Sequence, residues 1–162
     1  MRLAIRPMQD HPAGSTLRGV SAPAGNVFRV HLADPGGRTR VMDVPTEEFE
    51  STEHGILLSG CTVIPWHRVI RYTRETTQEV DHAFRRNAEM RVWVDDGTPE
   101  GETLKVRSDR FEQGQWTVDL VVERALNVEA GLFHVTKIHV PWMRVLEYER
   151  LPAPVDVPTR PD

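Results

Sequence analysis

The chain carries one cysteine, Cys61, two tyrosines and only two lysines among its 162 residues. A single thiol excludes an intrachain disulfide framework and any zinc site built from several cysteines. No apolar run approaches the roughly 20 residues that span a bilayer, so no membrane partner is expected. The first residues, Met1-Arg-Leu-Ala-Ile-Arg-Pro7, reach Asp10 without the apolar core of a secretory signal, which makes the cytoplasm the expected location. An excess of positive charge is lacking too. The formal net charge is −4, whereas tight, sequence-independent binding to a nucleic-acid backbone needs a basic field over much of one face. A local basic patch is the most that this balance leaves. Eighteen of the twenty basic residues are arginines, Lys105 and Lys137 being the exceptions. G+C-rich coding accounts for that bias as well as a need for Arg forks does.

What is present is enough to fold. Hydrophobic residues make up 39% of the chain and charged residues 27%, and the length fits one ordinary domain or two very small ones. The chain also resembles itself. At an offset of 62, Arg29, Val30, Asp34, Val44, Phe49 and Glu50 recur as Arg91, Val92, Asp96, Val106, Phe111 and Glu112. A second block, Pro65-Trp-His-Arg-Val-Ile-Arg-Tyr72, recurs at an offset of 76 as Pro141-Trp-Met-Arg-Val-Leu-Glu-Tyr148. The change of offset places 14 extra residues in the second copy, expected over 115–129. Two tryptophan-centred blocks in one order read as a tandem duplication.

Each copy reads as strands. Asp34-Pro-Gly-Gly37 and Asp95-Asp-Gly-Thr-Pro99 each supply turn chemistry between two apolar runs, a hairpin signature. Thr46-Glu47 and Ser108-Asp109 then suit a short helical turn closed by Phe49 or Phe111. Val80, Ala83, Phe84 and Ala88 follow a helical spacing, with Thr76 and Glu79 as a capping box. The expected fold is therefore mainly β. It consists of two tandem SH3/barrel-like units of about five strands each, joined by one short helix and packed with pseudo-twofold symmetry. The corresponding boundaries are an amino-terminal extension at 1–26, units at 27–75 and 90–150, the helix at 76–89, and a mobile proline-rich tail at 151–162.

No chemistry declares itself. Seven histidines lie at 11, 31, 54, 67, 82, 134 and 139, none at the i, i+4 spacing of a helical zinc site. His134 and His139, five apart on a strand, point to opposite faces. Neither a phosphate-binding loop, a dinucleotide fingerprint nor a nucleophile elbow is present, and no cofactor or metal is expected. His134-Val135-Thr136 resembles half of the paired signature of two-histidine phosphoesterases, but the second half that the acid–base mechanism needs is missing. Without a complete catalytic set, a non-enzymatic role is expected.

The remaining constellation is Trp66, His67, Arg68, Arg71 and Tyr72. Aromatic faces beside Arg forks can hold single-stranded bases and phosphates, with His67 as a further donor. The same side chains can instead fill a sheet interface and pair with carboxylates. The segment from Arg38 through Gly55 to Tyr72, with Ile64-Pro-Trp-His-Arg-Val69 at its centre, resembles the RNA cyclic group end recognition domain. The second copy carries Met143 where that motif has His. The resemblance implies binding of RNA ends through Trp66, His67 and Arg68. Two functions are therefore expected alternatives: an RNA- or nucleotide-binding module, or a structural protein whose sheets pair with a protein partner or with themselves. At matching positions His67 and Arg71 face Met143 and Glu147, so an anionic ligand is expected on the first copy alone.

Overall fold

A computed structural model describes residues 26–79 and 88–152. The protein is mainly β, and the same series of elements occurs twice. The first unit runs β1 (Val27–Asp34), β2 (Arg38–Pro45), a 3-10 turn (Thr46–Glu48), β3 (Phe49–Ser51), β4 (Gly55–Leu58), β5 (Thr62–Pro65), a second 3-10 turn (Trp66–Arg68) and β6 (Val69–Glu79). The second runs β7 (Glu89–Val94), β8 (Glu102–Arg107), a 3-10 turn (Ser108–Arg110), β9 (Phe111–Gln113), β10 (Thr117–Asn127), β11 (Leu132–Pro141), a 3-10 turn (Trp142–Arg144) and β12 (Val145–Leu151). Both helical turns foreseen after the hairpins form, and each splits one strand in two, which raises about five strands per unit to six.

Strand orders match as well. β2-β1-β6 and β3-β4-β5 in the first unit correspond to β8-β7-β12 and β9-β10-β11 in the second. The units join where β6 pairs antiparallel with β11, from Tyr72 opposite His139 to Glu79 opposite Leu132. This join makes a continuous six-stranded sheet, β2-β1-β6-β11-β10-β9. Residues directly opposite each other across a sheet share a face. Val30, Tyr72, His139 and Asp119 form one such row, while Arg29, Thr73, Ile138 and Leu120 form the next. Val30 and Tyr72 belong to the first unit's core, with Leu32, Val44, Ile56 and Trp66; Leu120 and Ile138 belong to the second's, with Val92, Val94, Val118 and Val140. The shared sheet thus carries one core on each face.

Three expectations need correction. The join is head-to-tail rather than pseudo-twofold. A twofold relation would add a β5–β12 pair to the β6–β11 pair, but β5 pairs with β4 and β12 with β7. The reason is the insertion, which occurs in one unit only. Its position is the second correction. Thr52 and Gly114 donate matching backbone hydrogen bonds to Gly55 and Thr117, and the flanking pairs Gly55–Pro65 and Thr117–Pro141 also match. The extra residues therefore lie inside 117–141 and lengthen both arms of the β10–β11 hairpin. It is the lengthened arm, Leu132–Lys137, that lies along Glu79–Arg74.

The third correction concerns the helix. Thr76–Glu79, expected to begin it, continue β6 because β11 offers a ladder of backbone partners, and tertiary pairing overrides a local helical period. Residues 80–87 of that expected helix lie outside the described residues, as do the amino-terminal extension up to 25 and the tail from 153. Leu151, placed at the start of the tail, is the last residue of β12, opposite Glu89. Among the described residues no helix is long and apolar enough to cross a membrane.

Candidate functional site

The repeated Pro-Trp-x-Arg segment is first of all a structural staple. Pro65 and Pro141 end β5 and β11 at φ −61° and −55°, and each launches a 3-10 turn that swings its tryptophan inward. The Trp66 indole N–H donates to the Thr52 carbonyl at 2.9 Å, and Trp142 does the same to Gly114 at 2.9 Å. The arginine that follows reaches back to an aspartate at the end of the first strand, Arg68 to Asp34 and Arg144 to Asp95. Each motif thus ties the last turn of its unit to the first hairpin.

These contacts fix where the five sequence-predicted residues stand. Trp66 and Tyr72 are buried in the first unit's core. The Tyr72 ring lies 4.8 Å from Phe49 and 6.4 Å from Trp66, and its hydroxyl shares a hydrogen bond with Ser51 at 2.9 Å. Burial, only partly offset by that bond, pushes the Tyr72 phenol up. Arg71 pairs with Glu102 of the second unit and so is part of the join. His67 is exposed, but its carbonyl accepts from Arg144 at 2.6 Å. The five residues adjoin, yet their aromatic faces point into the core and both arginines are engaged by carboxylates.

Sequence reasoning missed the cluster across the seam. His139 stacks on Tyr72 with ring centroids 4.5 Å apart and an angle of 13°. Its Nδ1 is 2.8 Å from Asp119, which also accepts from the Thr117 hydroxyl at 2.7 Å. Burial alone would raise the Asp119 carboxyl, but the bonds from His139 and Thr117 outweigh it and hold the group below its ordinary value. An ionised carboxylate orienting an imidazole is half of a nucleophilic triad. Among the described residues no hydroxyl or thiol hydrogen-bonds that imidazole; the pair ties β10 to β11 within the second unit, and the stacking of His139 on Tyr72 is what crosses the seam. The alternation of β10 signalled Asp119 opposite the apolar row; nothing in the sequence signalled its pairing with His139.

The two last strands differ most in what covers them. On β6, Ile70 and Tyr72 are 3% and 4% exposed, whereas their counterparts on β12, Leu146 and Tyr148, are 66% and 43% exposed. Second-unit side chains enclose β6. His139 lies on Tyr72, and Arg144 donates to the carbonyls of His67 and Val69, on either side of Arg68 and just before Ile70. Ile70 and Leu146 even occupy matching irregularities, each skipped where the strand register shifts. Among the described residues β12 pairs with β7 alone, so its outer edge meets no other described strand beside exposed Met143, Leu146 and Tyr148. No protein-family model, no curated protein and no solved structure matches this chain.

Proposed function

We propose that this protein is a non-catalytic interaction module whose strand β12 accepts an extended strand from a protein partner. The contrast between Ile70 and Tyr72, covered, and Leu146 and Tyr148, bare, carries this reading. It takes the two units as a tandem repeat in which the first already shows strand addition completed, with β11 as the added strand. Strand addition gives affinity through main-chain hydrogen bonds and specificity through alternate side chains. Leu146 and Tyr148 would supply the apolar anchors, since a rigid aromatic beside an aliphatic residue buries much area at low entropic cost. An RNA- or nucleotide-binding role would rest on His67 and the exposed edge of Arg68, because Trp66 and Tyr72 offer no free ring face.

Site-specific photocrosslinking tests the proposal. A benzophenone amino acid at position 146 of the full chain, in its native cells, should give discrete protein adducts. Those adducts should be absent when the crosslinker is placed at exposed Val41 and lost in the variant that also carries Tyr148→Lys. Adducts indifferent to Tyr148→Lys, or adducts to RNA in place of protein, would overturn it.

A further inference from the structure

We infer that the strand accepted by β12 is β5 of a second copy of this chain, in a head-to-tail contact that repeats the internal join. The inference rests on the reading of β12 as an acceptor and names its partner. Inside the chain, β6 of the first unit receives β11 of the second. Repeating that operation leaves one acceptor and one donor on each molecule. The counterpart of β6 is β12, and the counterpart of β11 is β5, which among the described residues pairs with β4 alone. The strand ladders fix the equivalences residue by residue. Tyr148 opposite Val92 matches Tyr72 opposite Val30, and Val63 opposite Leu57 matches His139 opposite Asp119. Since Tyr72 faces His139 across the join, Tyr148 of one copy faces Val63 of the next, with Glu149 opposite Thr62.

Each contact that holds the internal join has a counterpart able to hold the external one. Tyr72 and His139 stack on each other, while Tyr148 and Val63 are both bare, at 43% and 47% exposure. Leu57 replaces Asp119, which tethers His139, so the polar pair laid on Tyr72 becomes an apolar pair for Tyr148. Arg71 pairs with Glu102 across the join. The residues at those two positions are Glu147 and Arg40, Arg40 lying opposite Leu32 as Glu102 lies opposite Val94. The charges are exchanged and still complement each other, which favours this partner and this register. Glu147 is exposed, and Arg40 is 56% exposed with a contact to Asp34 at 3.5 Å. Arg144 holds Asp95 and also donates to two carbonyls of the first unit. Its counterpart Arg68 holds only Asp34 among the described residues and is 36% exposed against 12%, which leaves donors for the carbonyls of Met143 and Val145. Strand lengths agree too, since β12 and β5 are both shorter than β6 and β11.

Two variants of the full chain, both carrying Cys61→Ser, test the inference by disulfide formation. One bears Glu149→Cys and the other, with a distinguishing tag, Thr62→Cys, because opposite positions on paired strands lie within disulfide reach. Mild oxidation of the mixture at submillimolar concentration should give the mixed 149–62 dimer in several-fold excess over either like-with-like dimer. Glu147→Arg in the first variant should lower that yield about fivefold, and Arg40→Glu in the second should restore it. Both charge variants lie at exposed positions and should leave the melting temperature unchanged. A dominant 149–149 dimer, an even mixture of all three dimers, no dimer, or failure of Arg40→Glu to restore the yield would each overturn the inference. The crosslinker at position 146 keeps the two readings apart. Adducts to a different protein, alongside any of those four results, leave β12 an acceptor and remove only the second copy as its partner. Absence of any adduct together with absence of the mixed dimer overturns both.

Discussion

Tyr72 and Tyr148 occupy matching positions and differ in what lies on them, so alanine at each position separates a covered strand from a bare one. Tyr72 is 4% exposed and touches Phe28, Phe49, Trp66 and His139. A buried aromatic removes about 150–250 Å² from water. At about 25 cal/mol per Å² this is worth roughly 4–6 kcal/mol as an upper bound. Truncations of buried aromatic side chains fall at about 3–5 kcal/mol, so Tyr72→Ala should cost about 4 kcal/mol. Tyr148 is 43% exposed, with Phe111 at 5.3 Å and Trp142 at 6.5 Å, and a long hydrogen bond from Gln113 at 3.4 Å. Its smaller buried area and looser contacts reduce the expected cost of Tyr148→Ala to about 1–2 kcal/mol. Tyr72→Phe, which deletes the hydroxyl's bonds to Ser51 and Thr117, should cost about 1–2 kcal/mol. Urea unfolding followed by tryptophan fluorescence and circular dichroism yields all three values. Equal costs for the two alanine variants, or a larger one at Tyr148, would refute the view that the second unit covers β6 while no strand among the described residues covers β12.

Arg144 is only 12% exposed and serves Asp95 and two carbonyls of the first unit, so Arg144→Ala should lower stability by roughly 2–4 kcal/mol. Arg68→Ala, at a pair 36% exposed on the arginine side, should cost about 1 kcal/mol or less in the same urea assay. Gly55 sits at φ +151°, and a Cβ there would lie 2.0 Å from the Ile64 carbonyl oxygen. Gly55→Ala should therefore cost at least about 2 kcal/mol, against a smaller loss for Gly36→Ala, where a Cβ meets nothing. Burial, and then the nearby Arg71 and Arg29 charges, lower the His31 pKa, so the unfolded chain binds its proton more readily. Stability should fall as pH drops through about 6.5, and His31→Gln should flatten that part of the profile. Asp119, held below its ordinary value, keeps its contribution there and loses it only in stronger acid.

Much of the fold was legible because short-range chemistry and internal similarity encode it. The Asp-Gly turn at 96–97 and the Pro-Gly turn at 35–36 marked both hairpins, and Thr46 and Ser108 marked both 3-10 turns. The seam was not legible. Thr76–Glu79 carry a capping pattern, and only the pairing with Leu132–Val135 decides that they extend a strand. Since those partners are more than fifty residues away, no local period reports them. The site suffered from the same blindness. Trp66 and Tyr72 are residue types that serve a binding face or a core equally well, and their burial depends on Phe28, Phe49 and His139 closing over them. Leu146 and Tyr148 drew no attention for the opposite reason. Their sequence resembles that of Ile70 and Tyr72, and what distinguishes them is that no strand among the described residues covers β12.

Residue-resolved amide exchange on the intact protein tests the central claim most directly. The outer edge of β6 from Tyr72 to Glu75 is paired with His139 to Thr136, whereas the matching edge of β12 from Tyr148 to Leu151 is paired with nothing among the described residues. Outward-facing amides at 148–151 should exchange orders of magnitude faster than their counterparts at 72–75, because local opening is not required to reach them. Comparable protection of the two stretches in the isolated protein would contradict a bare acceptor edge on β12.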